Sequence, residues 1–392
     1  MPWVSSIVSA APSVPKPSCH PARRTRRGRI CYSGGNAVGD DQPSETIMGA
    51  SDTRTPSSGD RPYEDIRKAW RAANLSPLWE SQVAHKTREG GPAPTHWSWK
   101  QIRPLVDDAM KVATPAAIER RVLTFTDPDT AAGTGSTTTN LTTALQILLP
   151  GEKARPHRHT MNALRFVIEG SGASTIVDGK DCPMEEGDLV ITPGWTWHEH
   201  VHRGSAPIIW LDALDAPLHR YLGTDKFEPG PVHDLPDTPD DKAFAVPNIV
   251  PELSDGATPF SPVFRYPWKD ARNAVRAAPS WKDGSRRVRY INPITGGSTM
   301  PLMDCYLAQI DKGTETVRFR TTSNAVCLVC EGRGSTRVGE DAVNWEAHDV
   351  FSLPHGNWIT HKADETATLF LVTDRDVLRR LDLLQEQFGN EF

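Results

Sequence analysis

The sequence predicts an all-β protein: two jelly-roll-like barrels made from one internal repeat, preceded by a helical segment. Three observations predict it. From about residue 131 the chain breaks into short runs of Val, Ile, Leu and Phe separated by Gly, Pro and Asp turns, the pattern of a sandwich or barrel. The stretch 151-GEKARPHRHTMNALRFVIEGSG-172 aligns without a gap on 313-GTETVRFRTTSNAVCLVCEGRG-334, sharing Asn-Ala (Asn162–Ala163, Asn324–Ala325) and a closing Glu-Gly-x-Gly. Downstream, 185-EEGDLVITPGWTWHEH-200 aligns on 346-EAHDVFSLPHGNWITH-361, with Asp188/Asp349, Pro193/Pro354 and Trp197/Trp358 fixing the register. The second copy is one residue shorter, a loss assigned to the hairpin between the two motifs.

Taken in order, residues 1–60 read as a disordered extension. They are rich in Ser, Pro, Gly and Arg (Arg23, Arg24, Arg26, Arg27, Arg29) and cannot bury enough apolar surface to order themselves. Met48 is an alternative first residue, and the lack of acids through Gly39 superficially resembles a transit peptide. Residues 61–130 form the helical segment: Ile66, Trp70, Ala73 and Leu75 recur at roughly helical spacing, and 98-SWKQIRPLVDDAMKV-112 follows. The first barrel spans 131–225. Residues 226–285, rich in Pro, Asp and charge, read as a linker, 286–375 as the second barrel and 376–392 as a C-terminal helix.

Composition excludes several classes. Charged residues make up 24% and the net charge is −5, so no strong field favours nucleic acid or an anionic membrane. The longest apolar runs, such as 366-TATLFLVT-373, fall well short of the roughly 20 residues a spanning helix needs. Six irregularly spaced cysteines make no disulfide framework and suit a reducing, cytoplasmic setting. Cys327 and Cys330 form a CxxC, but on a strand residues three apart face opposite sides, which argues against a shared metal.

His157 and His159 are separated by one residue, so on a strand both rings share a face. His198, after the turn 192-TPGW-195, supplies a third imidazole from a later strand. Three neutral imidazoles from two strands can cap one side of a divalent ion and leave the other side open. A lone HxH is more often a satisfied core pair. Here it follows Gly151 by six residues and is completed by Gly187-Asp188, Pro193 and His198, which together make a cupin signature. His200 and His202 alternate with His198 and form a rival cluster. His200 suits an acid–base or supporting part, and His202 is peripheral.

The second copy acts as an internal control. His157 becomes Phe319, His159 Thr321 and His198 Ile359, so the second barrel should hold no such ion and serve packing or assembly. His348, His355 and His361 are then surface or core residues. Arg165, placed to pair bidentately with a carboxylate, becomes Cys327, so the arginine tracks the ligands. No acid occurs four or five residues after the HxH, where Ala163 and Leu164 stand, so the ion keeps its full charge and suits a dianionic chelator. Gln146, inward in 144-ALQIL-148, either donates to a substrate oxygen or bonds to backbone. The residues leave both readings open.

With these residues in view, the chain resembles the gentisate 1,2-dioxygenase family, which includes salicylate and 1-hydroxy-2-naphthoate dioxygenases. The resemblance runs from about residue 62 to the C-terminus through 76-SPLWE-80, 118-IERRVLTF-125, 157-HRHTMNALRFVIEG-170, 192-TPGWTWHEH-200, 210-WLDALD-215 and 290-YINPITGG-297. It implies a double cupin, a homotetramer and Fe(II) on His157, His159 and His198. It also implies Arg165 and Gln146 on the substrate, His200 beside the metal, Asp212 near the site, and a further substrate arginine at Arg120 or Arg121. Many relatives keep a histidine where Ile359 stands, which sets this second barrel apart. The implied reaction is O2-dependent opening of a 2-hydroxybenzoate between its carboxyl-bearing and hydroxyl-bearing carbons. Alternatives are a nitro- or halosalicylate dioxygenase and a non-catalytic aromatic-acid-binding cupin. Imidazoles alone do not choose iron over manganese or nickel.

Overall fold

The computed structural model describes residues 62–77, 90–113, 120–128, 135–246, 249–252 and 259–389. The expected extension 1–60 and Met48 lie outside them, as do parts of 76–80 and 118–125. The chain divides into two units, Met1–Ala84 and His85–Phe392. In the first, the described structure is helix α1 (Tyr63–Ala72), with Glu64 and Asp65 in its first turn and Arg71 in its last, a charge order that suits the helix dipole.

The second unit opens with β1 (His96–Trp97), α2 (Trp99–Val112) and β2 (Arg121–Phe125). The first barrel follows as β3 (Thr142–Leu148), β4 (Lys153–His159), β5 (Ala163–Glu169), β6 (Ala173–Val177), β7 (Lys180–Met184), β8 (Leu189–Thr192), β9 (His198–His202) and β10 (Ile208–Leu214). Next come α3 (Ala216–Leu222), β11 (Phe227–Pro229), β12 (Arg265–Tyr266) and α4 (Trp268–Ala277). The second barrel is β13 (Arg286–Arg289), β14 (Asp304–Ile310), β15 (Phe319–Thr321), β16 (Ala325–Glu331), β17 (Arg333–Val338), β18 (Asp341–Glu346), β19 (Val350–Leu353), β20 (Trp358–Ala363) and β21 (Ala367–Thr373), closed by α5 (Arg375–Arg380) and β22 (Glu386–Phe388). Each barrel faces a six-stranded sheet with a five-stranded one: β12-β8-β5-β10-β3-β2 with β11-β4-β9-β6-β7, and β1-β19-β16-β21-β14-β13 with β18-β17-β20-β15-β22. The two-barrel, all-β architecture is the one expected.

Three expectations about the segments need correction. Residues 226–285 are not a bare linker. β11 pairs with β4, β12 pairs with β8, and α4 carries the buried Val275. Residues 121–125, read with the helical segment, form a strand on β3. Residues 376–392 are not one helix, because after α5 the chain turns back as β22 to pair with β15.

The two heads are exchanged. β1 precedes the first barrel yet pairs with β19 of the second, and β12 precedes the second yet pairs with β8 of the first. At each junction one buried aspartate holds the incoming head. Asp349 accepts from Trp99 N (2.7 Å) and contacts His96, and Asp188 accepts from Trp268 N (2.9 Å) and from Arg265. Both carboxylates thus take up an N–H at a helix start that would otherwise be unpaired.

The central strands of the six-stranded sheets are covered on both faces, which explains their near-continuous apolar runs. One face looks into its own barrel and the other toward the sister barrel, where Phe166 stacks on Phe370 at 4.2 Å. The alternation is visible in β21: Leu369 and Leu371 belong to the second barrel's interior, Phe370 and Val372 to the core shared by the barrels. It also separates Cys327, inside the barrel, from Cys330, against the shared core. Both are free thiols.

Strand pairing refines the repeat. Ala173 faces His202 and Gly334 faces Ala363, so the residue missing from the second copy falls in the turn before β6 and not in the hairpin after it.

Candidate metal and substrate site

The inner face of the first barrel gathers the predicted residues from five strands. β4 supplies His157 and His159, β9 His198 and His200, β5 Arg165, β3 Gln146 and β10 Asp212. A bulge in β4 between Ala154 and His157 sets His157 opposite His198. The turn leading into β9 is pinned through Asn162, whose side chain accepts from Gly194 N (3.0 Å) and donates to Asp215 (2.6 Å). A side chain at Gly194 would put its Cβ 2.4 Å from the Thr160 carbonyl, so only glycine fits this crossing.

His157, His159 and His198 are buried, and their ligand atoms lie within 4.8 Å of one another. Among the described residues they are the only group of three or more His, Cys, Asp or Glu so placed. Each Nδ1 faces a backbone carbonyl: Arg155 O at 2.8 Å, Met161 O at 2.8 Å and Thr196 O at 3.0 Å. A ring nitrogen beside a carbonyl must carry the proton, so all three rings leave Nε2 as the lone-pair nitrogen. Burial, reinforced by the Arg165 charge, lowers His159 to about 3 and holds His198 well below the ordinary imidazole range. Three neutral Nε2 donors and no carboxylate fit a divalent transition ion. His198 Nε2, buried and without a hydrogen-bond partner, fits the same conclusion.

Arg165 is buried beside Asp212, with Nε 3.5 Å from Oδ1, and it also donates to Thr192 Oγ1. Asp212 in turn accepts from Trp210 Nε1 at 2.9 Å. Burial pulls Arg165 down to about 10 and pushes Asp212 up, each restrained by the other's charge, so the guanidinium stays cationic at neutral pH. His200 contacts Thr175 Oγ1 through Nδ1 (2.9 Å), and burial keeps it neutral. Four buried polar atoms in this one interior have no hydrogen-bond partner: Gln146 Nε2, Arg165 Nε, His198 Nε2 and His200 Nε2. Each costs about 1–3 kcal/mol when left so, which marks a surface shaped for a polar ligand.

The paired candidates separate cleanly. Arg120 sets Nη1 3.1 Å from His157 Nε2. Arg121 is turned away, ion-paired with Glu152 (2.9 Å) and donating to Ala113 O (3.0 Å), so it does not join the group. His202 is spent on Ala206 O (2.7 Å). Sequence reasoning did not single out Thr175, Thr192, Trp210 or Phe227, whose ring stacks on His157 at 5.3 Å. Thr175 had a readable signal, because Thr336 repeats it and bonds His361 in the same way (2.7 Å).

Residues 144–214 match the Cupin domain family. The chain is 35% identical over 323 residues to gentisate 1,2 dioxygenase 1 of Aquipseudomonas alcaligenes, covering 80% of this chain and 92% of that protein. The chain belongs to the gentisate 1,2-dioxygenase family. It is 36% identical to the 5-aminosalicylate 1,2-dioxygenase of a Comamonas species, over 83% of this chain and 89% of the relative. Its fold matches the crystal structure of a salicylate 1,2-dioxygenase from Pseudaminobacter salicylatoxidans with a TM-score of 0.78 and 28% identity, over 85% of this chain and 99% of that one. As a member of this family the protein is a ring-cleaving dioxygenase.

Proposed function

We propose that the chain holds Fe(II) on His157, His159 and His198 and opens a 2-hydroxybenzoate, gentisate first, between its carboxyl-bearing and hydroxyl-bearing carbons with O2. The observation that carries this is the common orientation of the three rings, with Nδ1 on carbonyls and Nε2 inward, beside a buried arginine. Gentisate, salicylate and 5-aminosalicylate share a carboxylate ortho to a phenolic hydroxyl, and that pair is what the site has to recognise. Fe(II) bound there would supply open positions for this chelating pair and for O2, and a path for electrons between them.

The chain's own residues do the rest. Arg165 binds the substrate carboxylate, and Asp212 and Thr192 hold the guanidinium in place. Gln146 donates from Nε2 to a substrate oxygen. Thr175 Oγ1 donates to Met184 Sδ and so accepts from His200 Nδ1–H, which leaves the His200 Nε2 lone pair to take the proton shed by the substrate hydroxyl and return it to the ring-opened product. Arg120 donates to the His157 nitrogen that an ion would use, so metal loading would break this contact and leave the arginine beside the ion and its ligands. We extend the family's homotetramer to this chain as well. The exposed Tyr221 and Leu222 on α3 are apolar surface an assembly would cover, and sedimentation velocity would measure it.

The test is oxygen uptake by Fe(II)-reconstituted protein against gentisate, salicylate, 5-aminosalicylate and 5-nitrosalicylate, with product followed by absorbance. Uptake matching the acid consumed, with at least one of them, is expected. Iron-loaded protein that binds these acids without consuming O2 would sink the proposal and leave a binding cupin. Activity restored only by manganese or nickel would overturn the choice of iron.

A further inference from the structure

The second barrel has lost the ligand set but has not been filled. Its interior encloses a cavity of about 330 Å³, within the range of small-molecule sites. The cavity occupies the position that corresponds to the first barrel's site. Strand register makes Phe319, Thr321 and Ile359 the counterparts of His157, His159 and His198. It likewise makes Ala308, Leu369 and Leu371 those of Gln146, Trp210 and Asp212. All six line the cavity. Each change removes a polar or bulky group, so the wall has become largely apolar.

One cation on that wall makes neither an ion pair nor a hydrogen bond, although the Asp283 charge acts on it. Arg287 lies across from Ala308 in the sheet, its guanidinium over the rings of Trp281 (4.3 Å) and Tyr306 (4.9 Å). The other two arginines lining the cavity are matched: Arg289 by Asp304 at 2.8 Å, and Arg375 by Glu386 at 2.7 Å. Among the described residues Arg287 makes no hydrogen bond or ion pair, and burial pulls its pKa down against the opposing charge of Asp283. A planar cation stacked on aromatic rings keeps its edge N–H groups free for a carboxylate. The position is not a relic of the first site, because the residue facing Gln146 in β2 is the apolar Val122. Asp283 also lines the cavity, its carboxylate accepting from Ser285 N (2.9 Å) and Oγ (2.6 Å). It disfavours a ligand with a second negative charge.

We propose that the second barrel is a metal-free binding site for a small monocarboxylic acid with an apolar body. The carboxylate pairs with Arg287, and the body lies among Phe319, Ile359, Leu369 and Leu371. This inference does not depend on the choice of metal or substrate in the first barrel.

Benzoate is the probe, since it has the carboxylate and the ring but no ortho hydroxyl with which to chelate an ion. Its binding to the full chain is measured by calorimetry in the wild type and in Arg165→Met, Arg287→Met, Arg287→Lys and Ala308→Leu. We expect a component that survives Arg165→Met, weakens at least roughly tenfold in Arg287→Met, recovers in part in Arg287→Lys and weakens in Ala308→Leu, which narrows the cavity across from Arg287. Oxygen uptake with the first-barrel substrate should persist in Arg287→Met. Ala308→Leu decides the matter should Arg287→Met fail to fold. Binding that Arg165→Met abolishes, binding indifferent to both second-barrel changes, or no binding at millimolar benzoate would each overturn the proposal.

Discussion

The two barrels share a frame and differ in what the frame holds. Asn162 bonds Asp215, and Asn324 bonds Asp374 in the same two-point way. Asp188 and Asp349 each hold the head of the other barrel. Thr175 holds His200 as Thr336 holds His361. The three proposed ligands and the substrate-binding Arg165 and Gln146 have changed, whereas His200 and the residues that fix turns and strand ends have not. Frame and chemistry are therefore separable in this fold. The persistence of His361 where no ion site exists adds a point about His200: the Thr–His pair belongs partly to the frame, and the neighbouring ligands give it a chemical role.

Paired substitutions can break or sharpen this contrast. His159→Ala should remove bound metal and lower ring cleavage by at least roughly a thousandfold, while its counterpart Thr321→Ala leaves both within error. Metal analysis with oxygen uptake reads this, and residual iron-dependent turnover in the first variant would refute the assignment. Arg165→Met should lower kcat/KM by a factor equivalent to about 2–5 kcal/mol, because it removes the buried cation that holds the carboxylate and leaves Asp212 without its ion-pair partner. Cys327→Ala, the matching change, should not alter turnover.

Arg121→Met and Arg120→Met should diverge. The first strands Glu152 and should cost about 3 kcal/mol of stability in denaturant titration. The second should leave stability intact and raise KM. Acid is the next lever. In the unfolded chain His159 and His361 take up a proton near pH 6.5, but in the fold only near 3 and near 4. The unfolded state binds more protons between those values, so stability of the metal-stripped protein falls as pH drops below 6.5. The loss should be up to roughly 2 kcal/mol per ring by pH 5. Melting curves that do not move between pH 7 and 5 would contradict the buried setting of His159 and the half-buried one of His361. The smallest effect is expected from Thr175→Val, about a tenfold fall in kcat with metal content unchanged. Thr336→Val should have no effect on turnover.

Much of the frame and part of the site could be read from residue order. The repeat exposed the barrels, and HxH with the later histidine picked out the three rings that stand together. The aligned Phe319, Thr321 and Ile359 gave the loss in the second copy. The choice between Arg120 and Arg121 could not be read, because neighbouring strand residues point opposite ways and the answer depends on where β2 begins. Phe227 was hidden because a three-residue strand carries no periodicity, and its stretch looked like linker for the same reason.

Sequence by itself determined the two-barrel plan, the three imidazoles on one face and their absence from the second copy, since alternation and repetition are local and leave a mark in residue order. Tertiary structure alone decided the exchange of heads between barrels, which of two adjacent arginines meets His157, and the open interior around Arg287. Those features depend on strand ends, long-range pairing and the summed volumes of side chains from many strands, and no local pattern encodes such sums.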